Sequence, residues 1–308
     1  MAGKQFTDTT DFFAIDHGDR IQVGDRWYEV LGHEKERRFG MEDPKFWVKR
    51  ALDPDTGEKK YIKLSYFESF HVTFGGVKIR CFRNPDKEGE ILKLIQGNPG
   101  FMQGSSFRDP QGNNIRILDA VRGPNFYNYI NSFTGDHETY FHENVPDILG
   151  KLVTAFQSIQ LLHESGFRHG DIRNDHIIID RSTENYVWID FDYDFEATEN
   201  PFSLDLFGIG NILSYAVGKG IHNLHMIDAD RKAYGDLIDR VEPGDFSVLD
   251  KWRFINIRKL YPYVPQMLND ILMHFSQASV LFYEGVEEII EDLDGYLSMT
   301  GQKEEEAP

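Results

Sequence analysis

The sequence predicts an α+β fold of two lobes, a small sheet-rich one followed by a larger helical one. Three observations carry that reading. Apolar runs separated by turn signals fill the first third, a stretch from Asn144 to Gly166 repeats its apolar residues every three or four positions, and the texture changes at Arg122-Gly123-Pro124. The expected division is residues 1–122 for the sheet-rich lobe, 123–300 for the helical lobe, and 301–308 for a disordered acidic tail.

Each element follows in order. IQVGDRWYEVLG reads as strands around a turn, and FWVKRALDPDTGEKKYIKLSYF as a hairpin closed by PDTGE. The earlier HGD at residues 17–19 has no hairpin or second acid downstream and reads as a turn before a strand. NPDKEGEILKLIQG sets Ile91, Leu92 and Ile95 at helical spacing behind an acidic first turn. Ile115 to Val121 reads as the last strand of this lobe.

In the second lobe Val145, Ile148, Leu149, Leu152, Val153, Phe156, Ile159 and Leu162 form one apolar stripe. Asn144 stands at the N-cap position, Pro146 in the first turn, and Gly166 closes the end. Leu204–Val217, Val264–Phe282 and Val286–Leu297 read as further helices.

Composition narrows the function classes. With 33 Lys and Arg against 51 Asp and Glu the formal charge is −18, which argues against nucleic acid as a partner, because phosphate backbones need clustered cations. Cys81 is the one cysteine, so a disulfide framework and a cysteine-rich zinc site are both excluded. No apolar run has the length of a signal peptide or a membrane span, and the cytoplasm is the expected location.

The chemistry gathers around HGDIRNDH at residues 169–176. Beyond it lie the apolar run Ile177–Ile179, the polar turn DRSTEN, the run Tyr186–Ile189, and Asp190-Phe191-Asp192. Two short apolar runs around a polar turn make an antiparallel hairpin, which brings the loop of Asp171 and His176 beside Asp190. Converging carboxylates suit a hard cation such as Mg²⁺, or a base next to a metal ligand. Asp192 and Asp194 read as solvated loop acids.

On these residues the chain resembles the protein-kinase-like superfamily from about Asp25 to Leu297. Leu161-Leu162-His163 ahead of HGD, Asp171 at the catalytic aspartate, Arg173 two residues on, and Asp190-Phe191 at the metal-binding Asp-Phe carry the match. Upstream, Tyr61-Ile62-Lys63 resembles the strand of the nucleotide lysine and EGEILKLIQGNP the next helix, with Glu88 as the partner of Lys63. Ile117–Gly123 resembles the hinge, where Asp119 and Val121 would meet adenine. Asp205 and Gly210 resemble the Asp and Gly of the helix beneath the catalytic loop. The resemblance implies ATP and Mg²⁺ or Mn²⁺ as cofactors, Asp171 and Arg173 as catalytic residues, and Asp190 with His176 as metal ligands.

Four departures stand out. The glycine-rich loop should lie between Val30 and Trp47, yet LGHEKERRFGMEDPKF offers only Gly32 and Gly40, with Lys35, Arg37 and Arg38 as electrostatic substitutes. His176 replaces the second metal-binding residue, an Asn in the family, and suits Mn²⁺ or a single metal. DFG has become Asp190-Phe191-Asp192, and HGD replaces HRD. Only residues 191–204 separate Asp190 from Asp205.

The resemblance therefore implies an ATP-dependent phosphotransferase acting on a hydroxyl. Overall similarity favours a protein Ser/Thr acceptor, and the loop details lean to a small molecule such as a sugar or a lipopolysaccharide-type acceptor. A pseudokinase retained as a binding or scaffold module is the alternative reading. Residues 220–260 match no motif.

Overall fold

The computed structural model describes residues 3–38, 41–74, 77–196 and 199–305. Seven strands form the main sheet: β1 (Gln5–Phe6), β2 (Arg20–Val23), β3 (Arg26–Arg38), β4 (Met41–Leu52), β5 (Lys59–Lys63), β8 (Gly104–Arg108) and β9 (Asn114–Asp119). Their order is β1-β2-β3-β4-β5-β9-β8, antiparallel throughout except for the parallel pair β1–β2. The turn between β4 and β5 is set by Asp53, whose carboxylate accepts from the Asp55 and Thr56 amides. Gly18, at φ +83°, forms the turn ahead of β2.

Where a glycine-rich loop was expected, β3 and β4 run on as one long hairpin, pairing as far as Arg38 with Met41. Register shifts between Val30 and Gly32 and between His33 and Glu34 bend it. A second sheet is absent from the sequence reading. Strands β6 (Ser69–Phe74) and β7 (Val77–Arg83) form a hairpin, and β12 (Tyr193–Phe195) adds to its β7 edge.

Helix α1 (Pro85–Leu94) begins at Asn84, whose side chain accepts from the Lys87 amide, with Pro85 in the first turn. The helical part comprises α2 (Phe126–Ser132), α3 (His137–Glu143), α4 (Val145–Glu164), α5 (Ser203–Val217), α6 (Leu224–Ala229), α7 (Arg231–Tyr234), α8 (Ile257–Leu260), α9 (Gln266–Met273) and α10 (Val286–Glu305). All eight residues of the predicted α4 stripe are buried. Asn144 holds the N-cap position without a side-chain cap bond; its amide instead closes α3 on the Tyr140 carbonyl. Gly166 ends the helix at φ +79°. Strands β10 (Ile177–Ile179) and β11 (Tyr186–Trp188) pair antiparallel.

Two helix ends differ from the expectation. The helix expected over 264–282 stops at Met273, because the following backbone pairs elsewhere: Val248 donates to the Phe275 carbonyl and Gln277 to that of Phe246. The last helix continues to Glu305, into the stretch read as a tail.

The larger apolar core joins α1 to the helical part, with Ile91, Leu92 and Phe101 packed among α4, α5, α9 and α10; a smaller one sits within the main sheet. Residues 220–260 carry a third, around Ile227, Leu237, Phe246 and Phe254. Buried Asp245 ties that region together, accepting from the Glu242 amide, Asn256 Nδ2 and Lys259 Nζ at 2.7–2.8 Å. Among the described residues no helix is long and apolar enough to cross a membrane. A lysine-bearing strand, a following helix that carries its glutamate, a long central helix and a loop-hairpin unit succeed one another along the chain.

Candidate active site

Strand β5 lies between β4 and β9, and its register places Lys63 opposite Arg116. Both cations reach Glu88, which is fully buried on α1: Lys63 Nζ to Oε1 at 2.8 Å and Arg116 Nε to Oε2 at 3.0 Å. Lys63 Nζ also lies 2.6 Å from Asp190 Oδ1 and 3.6 Å from Asp192 Oδ2. Burial alone would strip its proton, yet the carboxylates of Asp190, Asp192 and Glu88 hold the ammonium charged and raise its pKa above the ordinary value.

The HGD loop hangs from α5. Asp205, 1% exposed, accepts from the His169 amide at 2.7 Å, the Gly170 amide at 2.8 Å and His163 Nε2 at 3.1 Å. Burial opposes its charge, but those donors keep the carboxyl below its usual pKa. From the other side buried Lys87 of α1 donates to the carbonyls of Arg168, His169 and Tyr193. Gly170 has φ +86°, and a Cβ there would stand 1.8 Å from the Tyr193 carbonyl oxygen. Glycine in HGD is thus required by the close approach of β12.

Between these supports Asp171, His176 and Asp190 converge. His176 Nδ1–H donates to the Asp171 carbonyl at 2.8 Å, so in the neutral ring Nε2 keeps its lone pair, and it lies 3.6 Å from Asp190 Oδ2. Asp190 adopts φ +62°, a left-handed conformation that an aspartate tolerates. Burial would raise its pKa, but Lys63 and Lys45 beside it hold the carboxyl well below the usual range. Asp171 shifts the other way, raised by burial. Arg173 is gripped by Asp175 at 2.9 and 2.5 Å and lies 3.9 Å from Asp171 Oδ2.

Asp192 is not a solvated acid. It is 1% exposed, and both its oxygens accept from Arg83 Nη1 at 2.9 Å, while Arg83 Nε reaches Glu68 at 3.0 Å. The reason lies in β12, which carries the residues after Asp192 onto β7 and buries the carboxylate under the arginine. Asp194 bonds Arg168 Nη1 at 3.1 Å and is partly exposed.

Two cavities open on this ground. The larger, about 890 Å³, is lined by Lys63, Asp119, Val121, Val48, Tyr61, Met102 and Leu118 among others, and also by Lys35. The smaller, about 310 Å³, is lined by Asp171, Asp192, Glu68, Phe70 and Tyr193. Lys45, Arg83, Arg173, His176 and Asp190 line both. Gly32 lines neither, and Asp119 is held by Lys60 at 2.8 Å. Gly40 and the side chains of Arg37 and Arg38 lie outside the described residues. Among the described residues no group of three or more His, Cys, Asp and Glu is arranged to hold a metal.

Sequence reasoning misses Arg83, Arg116 and Lys87. A basic residue two positions before a buried-helix proline and a charged residue inside an otherwise apolar strand are the only signals, and both are weak.

No family model and no curated protein matches the chain. Among solved structures it is similar to a mutant form of the Mycobacterium tuberculosis PknI kinase domain, at 11% identity and a TM-score of 0.49, over 87% of this chain and 94% of that one.

Proposed function

We propose that the protein is an ATP-dependent phosphotransferase that moves the γ-phosphate to a hydroxyl acceptor. The observation that carries the reading is the position of Lys63, one buried ammonium within 2.8 Å of both the α1 glutamate and the carboxylate of Asp190, at the floor of a cleft of about 890 Å³. Phosphoryl transfer asks little covalent chemistry of a protein; it needs placed charge and an oriented nucleophile.

On this reading the sheet-rich lobe, residues 1–122, and the helical lobe, residues 123–300, hold the nucleotide between them. The backbone near Asp119 and Val121 faces adenine, and Lys63, steadied by Glu88 and Arg116, carries the α and β phosphates. Asp171 takes the proton of the acceptor hydroxyl, a role suited to a carboxylate whose pKa burial has raised. Arg173 neutralises charge on the transferred group. Asp190 Oδ2 and His176 Nε2 lie 3.6 Å apart, an oxygen and a nitrogen donor that together would suit Mn²⁺, with Mg²⁺ held through the Asp190 oxygen alone. The ion would supply positive charge beside the phosphates. The protein's setting is the cytoplasm, where ATP and a reduced Cys81 coexist.

The test is thermal unfolding with ATP and either metal, followed by ADP release. Nucleotide with metal should raise the melting temperature, and Asp190→Asn should abolish turnover while the protein stays folded. No shift with either metal would favour the pseudokinase, and unchanged turnover in Asp190→Asn would remove Asp190 from the mechanism.

A further inference from the structure

We infer that the smaller cavity is the acceptor site, that it takes a small uncharged polyhydroxylated molecule, a sugar or polyol, and that Phe70 and Glu68 select it. The inference rests on the phosphotransferase reading and names the acceptor class of that same site.

The cavities share Lys45, Arg83, Arg173, His176 and Asp190, whereas Asp171 lines only the smaller. If the large cleft takes the nucleotide, the shared residues mark the plane the phosphoryl group crosses, and the carboxylate that receives the acceptor's proton stands on the far side. A volume of about 310 Å³ is at the lower end of small-molecule sites. It suits one or two sugar rings better than a peptide.

The far wall is the β6–β7 hairpin with β12. Phe70, 42% exposed, meets Tyr193 edge to face at 5.6 Å and offers an aromatic surface to the cavity. Glu68 spends Oε2 on Arg83 and on the Tyr193 hydroxyl, at 3.0 and 2.7 Å, and Oε1 remains to accept from a ligand hydroxyl. An aromatic face beside carboxylate acceptors recognises a ring with apolar C–H edges and many O–H donors. The cations of the lining, Lys45, Arg83 and Arg173, face the carboxylates of Glu68, Asp171, Asp190 and Asp192, so the wall has no positive excess to favour an anionic acceptor. Tyr193–Phe195, which directly follows the Asp190-Phe191-Asp192 segment, pairs with β7 along one edge, and on the other edge its Tyr193 and Phe195 carbonyls already accept from Lys87 Nζ and Arg168 Nη1, so neither carbonyl is left for an extended peptide to pair with.

The step balances without further reagents. The acceptor oxygen forms a bond to the γ-phosphorus as its proton passes to Asp171. The bond from that phosphorus to the β,γ-bridging oxygen breaks with its electron pair left on ADP.

The experiment is ADP release by the full chain with ATP and Mg²⁺ or Mn²⁺, in the presence of free hexoses, sugar alcohols and, separately, a Ser/Thr peptide mixture. We expect at least one polyol to raise the rate tenfold or more over the acceptor-free rate. Phe70→Ala should then raise the KM for that polyol about tenfold while the KM for ATP holds, and Phe70→Tyr should restore it. Stimulation by peptides alone, nucleotide binding without stimulation by any polyol of the panel, or an unchanged acceptor KM in Phe70→Ala would overturn the inference and leave the phosphotransferase reading standing. Absence of nucleotide binding would overturn both.

Discussion

Replacing Asp205 with asparagine should loosen the HGD loop without touching the site directly. Asp205 receives three donors, the His169 and Gly170 amides and His163 Nε2–H, and gives none. Asparagine brings one acceptor and one NH₂. Its better rotamer keeps the oxygen on His169 and His163 and turns the NH₂ toward the Gly170 amide, leaving a buried donor facing a donor. The unsatisfied amide costs roughly 1–3 kcal/mol, and the two surviving bonds lose about 1 kcal/mol each with the charge, for a total of about 3–5 kcal/mol. For 308 residues, at an unfolding entropy of about 2.1 cal/mol/K per residue, that is a fall in melting temperature of roughly 5–8 °C. The pH dependence has a definite sign. Because the folded carboxyl titrates below its unfolded value of about 3.9, its stabilisation is complete above about pH 5 and is lost as pH falls through the depressed folded pKa. The gap between the wild type and Asp205→Asn in calorimetric scans should therefore be full at pH 7 and shrink toward pH 3. kcat should fall by about tenfold or more as Asp171 loses its placement. A loss under 2 °C, or a gap that grows on acidification, would refute the reasoning.

Three further outcomes follow from the same geometry. Asp171→Asn should cut kcat by about 10²–10⁴-fold in single-turnover assays, with the melting temperature unchanged or raised because a half-buried acid whose pKa is raised is removed; a retained rate would exclude it as the base. His176→Asn should lower the ratio of Mn²⁺- to Mg²⁺-supported turnover about fivefold, since an amide oxygen replaces a nitrogen donor; an unchanged ratio in metal titrations would place His176 outside the coordination set. Lys87→Met leaves the Arg168, His169 and Tyr193 carbonyls without their shared donor, which should cost about 2–4 kcal/mol and speed amide exchange over β12; protection equal to the wild type would show that the lysine does not anchor that strand.

Much of this architecture is legible in the sequence because it is local. The α4 stripe, the β4–β5 turn at Asp53 and the hairpin after HGD each depend on residues a few positions apart, so periodicity and turn chemistry reveal them. The pairing of Lys63 with Glu88 is reached only through the family resemblance of that strand and helix, since the residues by themselves read as a surface lysine and a solvated acid. The second sheet is not legible. β12 meets β7 across more than a hundred intervening residues, and neither segment has a pattern that names the other. That pairing is also what turns Asp192 from an apparent loop acid into the buried partner of Arg83. Misplacing it is a consequence of treating an acidic segment by composition when an arginine far upstream decides its burial. The early end of α9 has a similar cause, since residues 275–277 give their backbone groups to 246–248 rather than to the next helical turn.

The β7–β12 pairing also bears on inhibition. A ligand that prised the Asp190-Phe191 segment from its place would have to break a strand pairing over Tyr193–Phe195, the Arg83–Asp192 ion pair and the Lys87 anchor together. The cleft should accordingly resist that kind of ligand and yield to one that fills the larger cavity alone.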